Sequence, residues 1–135
     1  MADTAPLQRT IEADVPAVST AGNDDDTVIA QAPFDCTVTA VQYVPEAAIT
    51  GANTNTRSVT LFNKGAAGSG TTSVATLQFD SGVNAVANDE RAITLSGTAA
   101  NLVLAAGDTL LWRSLHIGTG QADPGGLVRV TVTRN

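Results

Sequence analysis

Ser114 and His116 are the pair in this chain that most invites a chemical reading. They lie two apart in TLLWRSLHI, which puts them on one face if the segment is a strand. A serine nucleophile needs a base within hydrogen-bond reach and a third group to orient that base. Asp108 and Asp123 are available as the third group. Side chains two apart on a strand diverge, however, and Ser114 lacks the strained G-x-S-x-G elbow. The pair therefore reads as an enzyme only in the weaker alternative, a small β-fold hydrolase. His116 is expected to be a half-buried strand residue or a contact residue. Cys36 is the only cysteine, far in sequence from the only histidine, and reads as a small buried hydrophobe.

Other constellations fall short of their chemistry. Asp24-Asp25-Asp26 offers three carboxylates, but a calcium loop spaces its ligands around a glycine turn. Adjacent aspartates point to different sides, so a solvated linker is expected. No His/Cys cluster suits zinc. Gly65, Gly68 and Gly70 lack the Lys-Ser/Thr ending of a phosphate loop and read as a hairpin tip. Trp112 and Tyr43 are single residues of their kinds, too few for a sugar-stacking platform. Trp112 suits a core position or a subunit contact equally. The sequence thus predicts no enzyme, no cofactor and no bound metal.

Charge narrows the partners. Seven Lys and Arg face 13 Asp and Glu, for a net charge of −6, and the six arginines are scattered. Nucleic acid is disfavoured, because phosphate binding needs clustered cations. No apolar run approaches the ~20 residues of a bilayer span. The first residues after Met1 lack the positive and apolar regions of a signal peptide.

The elements that must position these residues are strands. Val128, Val130 and Val132 alternate with Arg129, Thr131 and Thr133, which predicts buried valines and outward polar residues. Strands are expected at 27–31, 36–44, 57–63, 73–79, 92–95, 102–104, 109–117 and 127–134, separated by glycine and proline turns. Residues 83–90 are either one helical turn or loop. With aromatic residues at only 4%, the core must be built from small β-branched side chains, which suit two closely packed sheets. The fold class is all-β: a β-sandwich or jelly-roll-like single domain over 27–135, with an extended N-terminal arm over 1–26.

In that arm Leu7, Ile11, Val15 and Val18 are too few for a core of their own, and Pro6 and Pro16 hinder regular pairing. The arm is expected to be ordered against another chain, with Leu7, Arg9, Ile11 and Val15 as contacts and Arg9 pairing with a carboxylate there. Its removal is expected to leave the sandwich folded. The long connections 45–56 and 118–126 are natural binding loops.

The runs APFDCTVTAVQYVPEAAITGANTNTR (32–57) and GDTLLWRSLHIGTGQADPGGLVRVTVTR (107–134) resemble capsid decoration proteins of tailed bacteriophages, especially those infecting actinobacteria. The resemblance implies a sandwich that oligomerises, often as a trimer, on the outer face of an icosahedral shell. It implies two partners, the major capsid protein and the protein itself. The expected location is the virion surface, after synthesis in the host cytoplasm. The alternative is a fibre-type or carbohydrate-binding module that uses loops 45–56 and 118–126.

Overall fold

The computed structural model describes residues 7–135 and consists of two antiparallel sheets packed face to face. The strands are β1 (Gln8–Val15), β2 (Asp25–Gln31), β3 (Cys36–Pro45), β4 (Thr56–Asn63), β5 (Thr72–Gln78), β6 (Arg91–Ala92), β7 (Thr94–Leu95), β8 (Val103–Leu104), β9 (Thr109–Ile117) and β10 (Gly126–Arg134). One sheet has the order β1-β10-β3-β6, with β8 also on β3, and the other runs β2-β9-β4-β5-β7. The chain is an all-β sandwich in a single domain.

Alternation decides which side chains enter the space between the sheets. Val128, Val130 and Val132 are fully buried, while Arg129, Thr131 and Thr133 lie on the outer face of the sheet. On that face Arg129 forms ion pairs with Glu12 at 3.2 Å and Glu90 at 3.3 Å. A one-residue slip would expose all three valines, which fixes the register. From the facing sheet come Val59, Leu61, Leu110 and Trp112, all buried. Trp112 lies in the core, its ring 5.5 Å from that of Tyr43 and tilted by 53°. Cys36 is fully buried too, and burial pushes its thiol pKa up.

Two segments differ from their sequence reading, and of the two readings left open for 83–90 the structure shows the loop. The single strand expected at 92–95 is two. Arg91–Ala92 pairs with β3, Thr94–Leu95 pairs with β5, and buried Ile93 marks the crossing from one sheet to the other. Residues 83–90 form no helix. Ala85 makes an isolated bridge to Ile49, and the one helical turn described is a 3-10 turn at Ala99–Leu102.

The second difference is the arm. Residues 1–6 lie outside the described residues. Gln8–Val15 is extended, as Pro16 suggested, but it is an edge strand of the sandwich and pairs with β10 along its whole length. Val15 and Val18 are buried in the chain's own core, at 6% and 7% exposure. β10 supplies the ordering surface that the sequence reading assigned to another chain. Its valines show only a strand's two faces in sequence, whereas pairing along its edge is invisible there.

Candidate functional site

The chemically capable side chains gather at one end of the sandwich, where the connections 16–24, 46–55 and 118–125 meet. Arg57 is the hub. It lies on β4 with Val59 and Leu61 at the same parity, so its side chain enters between the sheets, and it is fully buried. Its Nε donates to the Gln121 carbonyl at 2.9 Å, Nη1 to the Asn23 carbonyl at 2.8 Å and Nη2 to the Ala21 carbonyl at 3.0 Å. A second bond runs from Nη2 to the Gln121 carbonyl. The planar fork of a guanidinium suits several fixed acceptors at once. Burial pulls the Arg57 pKa down from its ordinary value, and the nearby carboxylates of Asp123 and Asp24 oppose that shift.

Asp123 forms the second centre and is 2% exposed. Its carboxylate accepts from Tyr43 Oη at 2.5 Å, Ser114 Oγ at 2.5 Å and the Gly125 N–H at 3.1 Å. Its backbone exchanges two hydrogen bonds with Val18. Burial, and then the Asp123 carboxylate, push the Tyr43 hydroxyl pKa far up, so Tyr43 is a permanent donor.

These bonds settle what Ser114 and His116 do in this conformation. Ser114 is buried and donates its proton to Asp123, which leaves its oxygen unserved by any imidazole. His116 turns to the connection 16–24, where Nδ1 lies 2.6 Å from Asp24 Oδ1. The His116 N–H donates to the same oxygen at 2.7 Å. The hydrogen bonds from the His116 backbone and ring hold Asp24 below its usual pKa. The arrangement is two separate braces and not a nucleophile, base and orienting acid in sequence.

The three aspartates are not a linker. Asp25 and Asp26 begin β2. Asp25 accepts from Thr27 at 2.7 Å, and Asp26 takes Arg113 through two bonds at 2.8 and 3.0 Å. The hydrogen bond to Arg113 depresses the Asp26 pKa. With Leu115 these groups line a shallow surface groove. Among the described residues no three His, Cys, Asp or Glu side chains converge as a metal site would require.

The two long connections are tied down. Gln121 Nε2 donates to the Thr50 carbonyl at 2.7 Å, joining one to the other. A Cβ on Gly120, at φ +82°, would fall 1.9 Å from the Ala21 carbonyl oxygen, so only glycine allows this approach. Gly51 is equally confined, its Cβ position 1.8 Å from the Asp80 carbonyl oxygen.

The sequence-predicted contact residues are strung along the sheet edge, from Leu7 just ahead of β1, beside Arg134, to Val15 at its end, beside Gly126. Leu7 is 46% exposed. Arg9 stacks its guanidinium 5.5 Å from the Phe34 ring, which Arg134 also approaches at 5.3 Å. Ile11 packs partly against the core, and Val15 belongs to it. They share one edge of the sheet but not a common exposed patch. Sequence reasoning passed over Arg57 as one of six scattered arginines. The available signal was its parity with Val59 and Leu61, an arginine on an apolar face.

No protein family, curated protein or solved structure matches this chain.

Proposed function

We propose that the chain is a structural virion protein that decorates the outer face of an icosahedral phage capsid and braces its major-capsid subunits. One observation carries the reading furthest. The side chains capable of chemistry are consumed in holding the fold, with Ser114 on Asp123, His116 on Asp24 and Arg57 on three carbonyls. What remains for external work is a two-sheet sandwich with extended outer faces and an edge, β1, that is open among the described strands. The resemblance of 32–57 and 107–134 to decoration proteins points the same way. The fibre or carbohydrate alternative draws no support from loops 45–56 and 118–126: the Gln121 side chain ties one to the other at the Thr50 carbonyl, and Arg57 holds the Gln121 carbonyl.

The mechanism is linkage. A protein that binds an assembled lattice and not its dissociated subunits stabilises the lattice by mass action. Many equivalent positions on a fixed shell make weak contacts sufficient, because neighbouring contacts act at high effective concentration. The test mixes purified protein with undecorated heads of actinobacterial tailed phages. Saturable co-sedimentation and a raised temperature of head disruption are expected. Heads that neither bind the protein nor gain stability would overturn the reading.

A further inference from the structure

The edges of the two sheets are guarded unequally. β6, β7 and β8 are two residues each, and β2 carries a bulge between Val28 and Ala30. Short strands and bulges both keep an edge from pairing with another chain. β1 has neither protection. It runs eight residues in unbroken register with β10, and its other side is open among the described strands.

The phase of its ladder is fixed by one bond. The Arg134 N–H donates to the Leu7 carbonyl at 2.8 Å, so Leu7 and Arg134 form a hydrogen-bonded pair. Such pairs alternate along an antiparallel ladder. Arg9, Ile11, Ala13 and Val15 therefore turn their main-chain groups to β10. Gln8, Thr10, Glu12 and Asp14 turn theirs out of the sheet, and all four are exposed.

We propose that this edge pairs with β1 of a second copy, antiparallel about a two-fold axis at Ile11. Outward-turned residues must face outward-turned residues, which leaves few registers. An axis at Glu12 sets that carboxylate against itself. An axis at Ala13 sets Glu12 against Asp14. An axis at Thr10 leaves Asp14 beyond the partner strand. The axis at Ile11 sets Gln8 opposite Asp14 and Thr10 opposite Glu12, so each carboxylate meets an amide or a hydroxyl. Opposed like charges destabilise a strand pair, and complementary polar pairs support it. Glu12 is also held by Arg129 of its own chain at 3.2 Å, which lowers the charge density at the seam. The two edge sheets become one continuous sheet. A two-fold contact of this kind builds a dimer, in place of the trimer that the resemblance implies.

Light scattering on the full chain, over a range of concentrations, reads the outcome without any capsid present, so its failure is separate from that of the decoration reading. A monomer–dimer equilibrium is expected. Thr10→Pro removes an N–H that points away from β10, a position where edge strands tolerate proline. It should weaken the dimer at least about tenfold, the scale of one lost hydrogen-bonded pair, while circular dichroism stays that of the parent. Ile11→Cys tests the register independently. It faces its own copy across the axis and should cross-link to a dimer on mild oxidation, whereas Thr10→Cys alone should not. Cys36 is fully buried and stays out of the reaction. A chain that remains monomeric or forms a trimer, or an Ile11→Cys chain that does not cross-link, overturns the proposal.

Discussion

Replacing Arg57 by methionine keeps the length of an apolar stem and deletes every donor. The carbonyls of Ala21, Asn23 and Gln121 then lose their partner together. A buried polar group left unsatisfied costs about 1–3 kcal/mol. Three such groups set a ceiling near 9 kcal/mol, and water entering this loop-lined end will rehydrate part of it. The expected loss is about 3–6 kcal/mol, a large share of the ~5–15 kcal/mol that typically holds a domain folded. For a chain of this size each kcal/mol lowers Tm by about 3–5 °C, so the fall should be roughly 10–30 °C. Urea and thermal unfolding read it through Trp112, the only tryptophan, which is 1% exposed. Arg57→Lys retains the charge without the planar fork and should fall between the two. A loss under about 1 kcal/mol for Arg57→Met would refute the idea that this residue fastens the loops.

Three further outcomes follow from the same structure. Ser114→Ala removes a donor from the buried Asp123 carboxylate and should cost about 1.5–3 kcal/mol in urea unfolding, as a bond to a charged group does; an unchanged midpoint would show that the bond contributes nothing. Deleting residues 2–18 removes β1 with buried Val15 and Val18. It should destabilise the sandwich by at least about 4 kcal/mol, counting ~1.5–3 kcal/mol per valine and the lost ladder, where sequence alone suggested a domain left intact. Asp24 and Asp26 have folded pKa values below the ordinary 3.8. Their contribution to stability is complete above that value and is lost as pH falls through the lower folded values. Thermal unfolding followed from pH 6 to pH 2 should show the acid-side decline begin below about pH 4, with a shallower slope in Asp24→Asn.

The strands were legible because one physical rule dominates them. β9 and β10 each alternate an apolar inner row with an outer row, and the core between two sheets enforces that pattern. The turns at 107–108 and 124–126 were legible because glycine and proline act locally. What the sequence hid depends on pairing. β1 reads as Q-R-T-I-E-A-D-V, weakly apolar and followed by proline, and only its alignment on β10 makes it a strand of the domain. The split at Ile93 depends on which sheet each neighbour reaches. At the loop end, Ser114, His116 and Asp123 were visible as candidate groups, but their partners come from segments 9 to 92 residues away. Spacing along the chain was therefore enough to set a triad aside but could not show the two separate braces that the fold makes.

The most direct measurement is an electron cryo-microscopy reconstruction of phage heads incubated with the purified protein. Added density is expected on the outer face, at repeated lattice positions, into which the two-sheet sandwich fits. Heads with no added density at saturating protein, or density confined to a tail fibre or the portal vertex, would contradict it.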